Sequence, residues 1–144
     1  MSGDPMSGVP LRVGLVGCGR IGALHARTLA ALPGARLTRV YDADRAAAEA
    51  AAGPDATVAD GERDVLAAPD VDAVVIASPT PLHVRQIVTA AEAGKAVFCE
   101  KPVALDLAAT REAMARVERL GVPFQIGFDR RYDCLLYTSD AADE

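Results

Sequence analysis

From residue 11 onward, short apolar runs alternate with longer stretches in which apolar residues recur at helical spacing. Residues 11–16 are the first run. It breaks at G-C-G-R-I-G and passes into A-L-H-A-R-T-L-A-A-L, a pattern that predicts a strand, a tight turn and a helix over about 20–32, stopped by Pro33-Gly34. Residues 36–41, R-L-T-R-V-Y, alternate in their middle as a strand does. The alanine-rich 44–52, with Arg45 and Glu49 at an i, i+4 spacing, predicts a helix ended by Gly53-Pro54. A short strand at 56–59 and a helix at 62–67 follow. In 71–77, V-D-A-V-V-I-A, β-branched residues run on with little polar alternation, as in a buried parallel strand. A helix over about 82–93 with Gly94 as its stop leads to a strand at 96–99. Asp106 is placed to cap a helix reaching about 120, with apolar residues at 107, 114, 117 and 120 and a Glu112–Arg116 pair outside. A sixth strand is expected at 123–126.

Strands that alternate with helices of this length predict an α/β fold, a doubly wound parallel sheet with right-handed crossovers and helices on both faces. Composition agrees. The chain has 144 residues, about one domain, and is 51% hydrophobic but only 4% aromatic, which suits alanine-rich helices packed closely on a sheet. A net charge of -5 with no basic cluster argues against a nucleic-acid partner. No apolar run approaches the ~20 residues that span a bilayer, and the N-terminus lacks a signal pattern, so no membrane association is expected. Cysteines 18, 99 and 134 are odd in number and widely spaced, which suggests a reduced, cytoplasmic setting.

The first strand and helix are joined by G-x-G-x-x-G, the dinucleotide-binding fingerprint of a Rossmann-type sheet. Gly17 permits the sharp turn, Gly19 leaves the main chain open to a pyrophosphate, and Gly22 allows helix and strand to approach. The phosphates would lie on backbone N–H groups near Arg20 and Ile21, at the positive end of the helix dipole. Asp42 ends the second strand 20 residues past Gly22, where an acid meets the ribose hydroxyls of NAD and repels the 2′-phosphate of NADP. Arg45 nearby weakens that preference, and Asp42 could instead cap the next helix.

Other polar residues collect at the strand ends. Ser78 and Thr80, between Pro79 and Pro81, could bond a ribose or phosphate or could form an ordinary loop and helix cap. His83, on the first turn of the following helix, could face the cofactor or lie satisfied at the surface. Lys101 ends the fifth strand between Glu100 and Pro102. Its ammonium could hold a substrate hydroxyl, with Glu100 tuning its proton affinity, or the two could be a solvated pair.

V-G-L-V-G-C-G-R-I-G, S-P-T-P-L-H, F-C-E-K-P and Q-I-G-F-D-R-R-Y-D together resemble the N-terminal half of the Gfo/Idh/MocA oxidoreductases, over about residues 11–133. The last segment is most similar to that of inositol 2-dehydrogenases. The resemblance implies a dehydrogenase that oxidises a ring hydroxyl of a cyclic polyol or sugar by hydride transfer to NAD, as a homo-oligomer in the full-length protein. Lys101 would orient the hydroxyl and assist the proton relay, and Glu100 would contact the nicotinamide side. Ser78, Thr80 and His83 would contact the cofactor, and Arg131, with Arg130, the substrate. No metal is implied, and the Lys101–Pro102 peptide is expected to be cis. Family members continue into a second α/β domain that supplies an aspartate and a histidine for proton transfer. Without that domain, NAD binding without turnover is expected, and apolar surface would be exposed. Two other readings share the fold, a dinucleotide-sensing regulator and an NAD-dependent glycosidase.

The two ends depart from this pattern. Residues 1–10, small, polar and proline-containing, are expected to be disordered, and Met6 is an alternative start. Residues 134–144, C-L-L-Y-T-S-D-A-A-D-E, can be encoded by the end sequence of a transposase-based sequencing adapter, so they are expected to be a non-native tail.

Overall fold

The computed structural model describes residues 9–127. Its elements are β1 (Leu11–Val16), α1 (Arg20–Ala31), β2 (Ala35–Tyr41), α2 (Arg45–Ala52), β3 (Thr57–Val58), α3 (Arg63–Leu66), β4 (Ala73–Ile76), α4 (His83–Glu92), β5 (Ala96–Glu100), α5 (Leu107–Leu120) and β6 (Phe124–Gly127), with a 3-10 turn at Thr80–Leu82 ahead of α4. All six strands join one parallel sheet in the order β3-β2-β1-β4-β5-β6. This is the Rossmann-type doubly wound sheet. The order reverses between β1 and β4, which opens a crevice at their carboxyl ends.

Two apolar layers sandwich the sheet. On one face Val13, Leu15, Val40 and Val75 meet Ala26 of α1 and Ala48 and Ala52 of α2. On the other, Val16, Val74, Ile76, Val97 and Cys99 meet Leu66 of α3, Ile87 and Ala90 of α4 and Val117 of α5. Leu15, Leu66, Ile76 and Ile87 are fully buried, each contributing roughly 1.5–3 kcal/mol. The small side chains of α1 and α2 allow the close approach that the alanine-rich composition suggests.

Several local expectations are corrected. β4 is shorter than 71–77 because Val71 turns out of the ladder: its N–H bonds Ala68 O at 3.2 Å and its carbonyl accepts from Lys95 Nζ at 2.6 Å. Lys95 also donates to Ala68 O at 2.5 Å, and burial pushes its ammonium below the usual lysine range. Before α4 the backbone tightens to a 3-10 turn, closed by Leu82 N–H donating to Pro79 O at 3.0 Å, with Pro81 in the first turn where its missing N–H costs nothing. Asp106 does cap α5, accepting from Ala108 N at 2.9 Å. Leu107 and Leu120 of that helix stay exposed, and Arg116 reaches Glu92 on α4 rather than serving only its own helix. The Arg45–Glu49 pair forms at 3.4 Å.

On the α1 side of β4, β5 and β6, a groove of about 430 Å³ runs past His25, Val75 and Phe98. Among the described residues no helix is long and apolar enough to cross a membrane.

Candidate functional site

The glycine-rich loop is built as its spacing requires. Gly17 has φ +97°, and a Cβ there would lie 2.4 Å from the Ala77 carbonyl carbon and the Ser78 nitrogen. The loop is thus pressed against the chain leaving β4, at the reversal of strand order. At Gly22 a Cβ would stand 1.8 Å from Gly17 O, so only glycine lets α1 start this close to its own strand. At Gly19 a Cβ would meet nothing within 4 Å. The absent side chain there leaves open space over the main chain, as a phosphate cradle requires.

α2 and α5 are capped by Asp44 and Asp106, whereas α1 begins at Gly19 with no side-chain cap and no acid in its first turn. The amides of Arg20, Ile21 and Gly22 have no intrahelical acceptor, and together with the helix dipole they suit an anion.

Asp42 is anchored beside this loop. Its Oδ2 accepts from Cys18 N at 2.7 Å and its Oδ1 from Asp44 N at 2.7 Å. It does not cap α2. That role falls to Asp44, which accepts from Ala46 N at 3.1 Å. A carboxylate offers about four lone-pair positions, so two remain for sugar hydroxyls. Arg45, the residue able to meet a 2′-phosphate, is engaged by Asp60 at 3.1 Å. Beneath the loop the Cys18 thiol is pushed up to about 12 by burial and then by the Asp42 charge. Cys99 is likewise raised to about 12, chiefly by burial, and both cysteines are free thiols.

At the end of β4, neither Ser78 nor Thr80 serves as a side-chain helix cap. The Ser78 hydroxyl donates to Gln86 Oε1. Gln86 is buried and donates to Glu62 Oε1 at 2.9 Å, while Arg85 grips the same carboxylate at 2.9 Å through each of two nitrogens. These bonds hold the Glu62 carboxyl below the usual range, Arg85 contributing most. Thr80 opens the 3-10 turn.

His83 is neither a surface residue nor open to the crevice. It is 1% exposed, with Nε2 2.7 Å from Ser78 O and Nδ1 2.8 Å from Pro102 O. The sequence shows a polar residue on a helix and carries no signal for this, because the two acceptors belong to different loops. Glu100 is buried against α1, its Oε2 2.5 Å from Nε2 of His25, a residue that sequence reasoning left out. The His25 ring meets Phe98 edge-on at 5.4 Å. Phe98 in turn lies where a Gly127 side chain would stand, 2.1 Å from its Cβ position. Lys101 is half-buried, donates its N–H to Gly127 O at 3.1 Å, and is joined to Pro102 by a cis peptide bond. Arg130 and Arg131 lie outside the described residues, as do 134–144 and most of 1–10.

The glycine loop, Asp42, Ser78, Thr80, Glu100 and Lys101 therefore sit at the carboxyl ends of β1, β2, β4 and β5. A cavity of about 550 Å³ between α1 and α2 is lined mainly by alanines along the helices and offers no comparable set of polar groups.

The family model described as "Oxidoreductase family, NAD-binding Rossmann fold" (GFO_IDH_MocA) matches residues 11–128. An inositol 2-dehydrogenase of Rhizobium meliloti (strain 1021) is 44% identical over 123 residues, covering 85% of this chain and 37% of that protein. The scyllo-inositol 2-dehydrogenase (NAD(+)) of Bacillus subtilis (strain 168) is 40% identical over 127 residues, 85% of this chain and 37% of its own length. The crystal structure of scyllo-inositol dehydrogenase from Lactobacillus casei with bound NAD(H) and scyllo-inositol superposes with a TM-score of 0.81 at 33% identity, covering 93% of this chain and 41% of that one. The chain thus spans about two fifths of the length of the relatives it matches.

Proposed function

Because the chain belongs to the Gfo/Idh/MocA oxidoreductase family, we propose that it is the coenzyme-binding part of a dehydrogenase that uses NAD to oxidise a ring hydroxyl of an inositol-like polyol to a ketone. The observation that carries this reading is the pairing of open space over Gly19, at an uncapped helix start, with Asp42 fixed 2.7 Å from the loop amide of Cys18.

The loop amides hold the pyrophosphate, and Asp42 accepts the adenosine ribose hydroxyls. Its charge repels a 2′-phosphate, which favours NAD over NADP. Ser78, Thr80 and the His83 segment form the side of the crevice toward the nicotinamide. When bound, NAD supplies the hydride acceptor. Lys101 orients the substrate hydroxyl and assists the relay that carries its proton away as the carbon loses its hydride. Glu100, held by His25, backs Lys101 at the nicotinamide end, and the family resemblance assigns Arg131, with Arg130, to substrate contact.

Joining residues 1–133 of this chain to the remaining residues of the Rhizobium meliloti relative, and supplying NAD with a panel of inositols, tests the reading. NADH formation is expected, falling at least 100-fold in Lys101→Met, within the range of general acid–base contributions. A chimera that folds and binds NAD yet oxidises no polyol would contradict it.

A further inference from the structure

The chain has two histidines, and both end on the Glu100-Lys101-Pro102 segment. They arrive from opposite faces of the sheet. His25 projects from α1, in the layer with Phe98, and bonds the Glu100 carboxylate. His83 opens α4, in the other layer, and spans Ser78 O and Pro102 O. Lys101 lies between the two tied residues.

We propose that His83 and His25 are positioning residues that fix Lys101, His83 by tying the loop after β4 to the loop after β5 and His25 by holding Glu100. The proposal rests on the reading of the crevice as a dinucleotide site.

The loops 77–82 and 101–106 leave adjacent strands, β4 and β5, and then diverge to α4 and α5. Beyond the strand ends the ladder no longer couples them. A buried ring between two of their carbonyls restores that coupling, donating to both when each of its nitrogens carries a hydrogen. Each bond needs a hydrogen on the ring nitrogen that faces the carbonyl. His25 works through a side chain: rotation of Glu100 toward the crevice would bring an anion beside the Lys101 ammonium, and the bond at 2.5 Å opposes it.

A histidine that merely filled the core would affect the whole coenzyme site alike. Positioning residues at this segment affect one end of it. The adenosine half rests on the glycine loop and Asp42, at β1 and β2, and the nicotinamide half reaches β4 and β5. ADP-ribose carries the adenosine half, the pyrophosphate and the second ribose, and lacks only the nicotinamide ring.

The test uses the 144-residue chain with His83→Gln and His25→Gln, titrated with NADH and with ADP-ribose. Each variant is expected to bind ADP-ribose within about twofold of the parent. NADH is expected to bind roughly five- to tenfold more weakly, the worth of a hydrogen bond or two, with less enhancement of nicotinamide fluorescence. Combined with Lys101→Ala, each histidine change should cost less than it does alone. Parallel loss of both ligands, or no loss of NADH affinity, would overturn the proposal. Should His83→Gln fail to fold, His25→Gln, on a partly exposed side chain, gives the same comparison. A parent chain that binds neither ligand would overturn the dinucleotide reading itself, which is a different result from variants that keep ADP-ribose alone.

Discussion

The Asp42 carboxylate accepts a hydrogen bond from the backbone nitrogen of Cys18 at 2.7 Å, so the acid ending β2 and the glycine loop ending β1 form one unit. On the proposed reading, the side chain that binds the sugar hydroxyls also sets the loop that faces the phosphates. Asp42→Ala removes both contributions. A hydrogen bond to a charged group is worth about 1.5–3 kcal/mol, so NADH affinity should fall roughly 10- to 100-fold, with a relative gain for NADPH. Asp42→Asn keeps one acceptor and should lose less. Parallel titrations with the two coenzymes check this, and an unchanged preference would count against the assigned role.

Gly22 tests the packing of the same turn. An added Cβ would stand 1.8 Å from Gly17 O, a backbone atom with no rotamer to escape into. Gly22→Ala should therefore destabilise the free protein by about 1–3 kcal/mol or more, read from the denaturation midpoint without any ligand. A midpoint equal to the parent's would mean that the loop is looser than its geometry implies.

Much of this was legible because it is local. The glycine spacing, the apolar run 71–77 rich in β-branched residues and the alanine-rich helices declare a parallel sheet within windows of ten to twenty residues, and Asp42 is found by counting. What stayed hidden depends on partners far apart in the chain. His83 looks amphipathic until Ser78 O and Pro102 O meet at its two nitrogens. Val71 reads as strand until Lys95 takes its carbonyl. Arg116 has a suitable partner one turn away yet bonds Glu92 across the α4–α5 contact. Leu107 and Leu120 follow helical periodicity, but no described element covers them.

Acid should weaken the fold through three carboxylates. Arg12 donates to Asp72 through Nε at 3.1 Å and Nη2 at 2.9 Å, Arg39 donates to Asp70 at 2.8 Å, and Arg85 holds Glu62. In each case the arginine hydrogen bond is the largest cause of a lowered folded-state pKa. Stability from such groups is fully present above their unfolded values and is lost as pH falls through the depressed folded values. Melting temperatures should hold steady above about pH 5 and decline below about pH 4, with a shallower decline in Asp72→Asn. A decline beginning near neutrality would point to other groups.

Gly19 separates folding from binding most directly. With φ -73° and nothing within 4 Å of an added Cβ, Gly19→Ala should leave the free protein undisturbed while placing a methyl group over the main chain where the pyrophosphate must approach. The decisive measurement is a calorimetric titration of parent and Gly19→Ala with NAD, alongside their melting curves. Equal melting temperatures and at least about tenfold weaker NAD binding in the variant are expected, since tenfold corresponds to only 1.4 kcal/mol of lost contact. Equal affinity in the two proteins, or a well-folded parent that gives no heat with NAD or NADP, would contradict the assignment of this turn as a dinucleotide cradle.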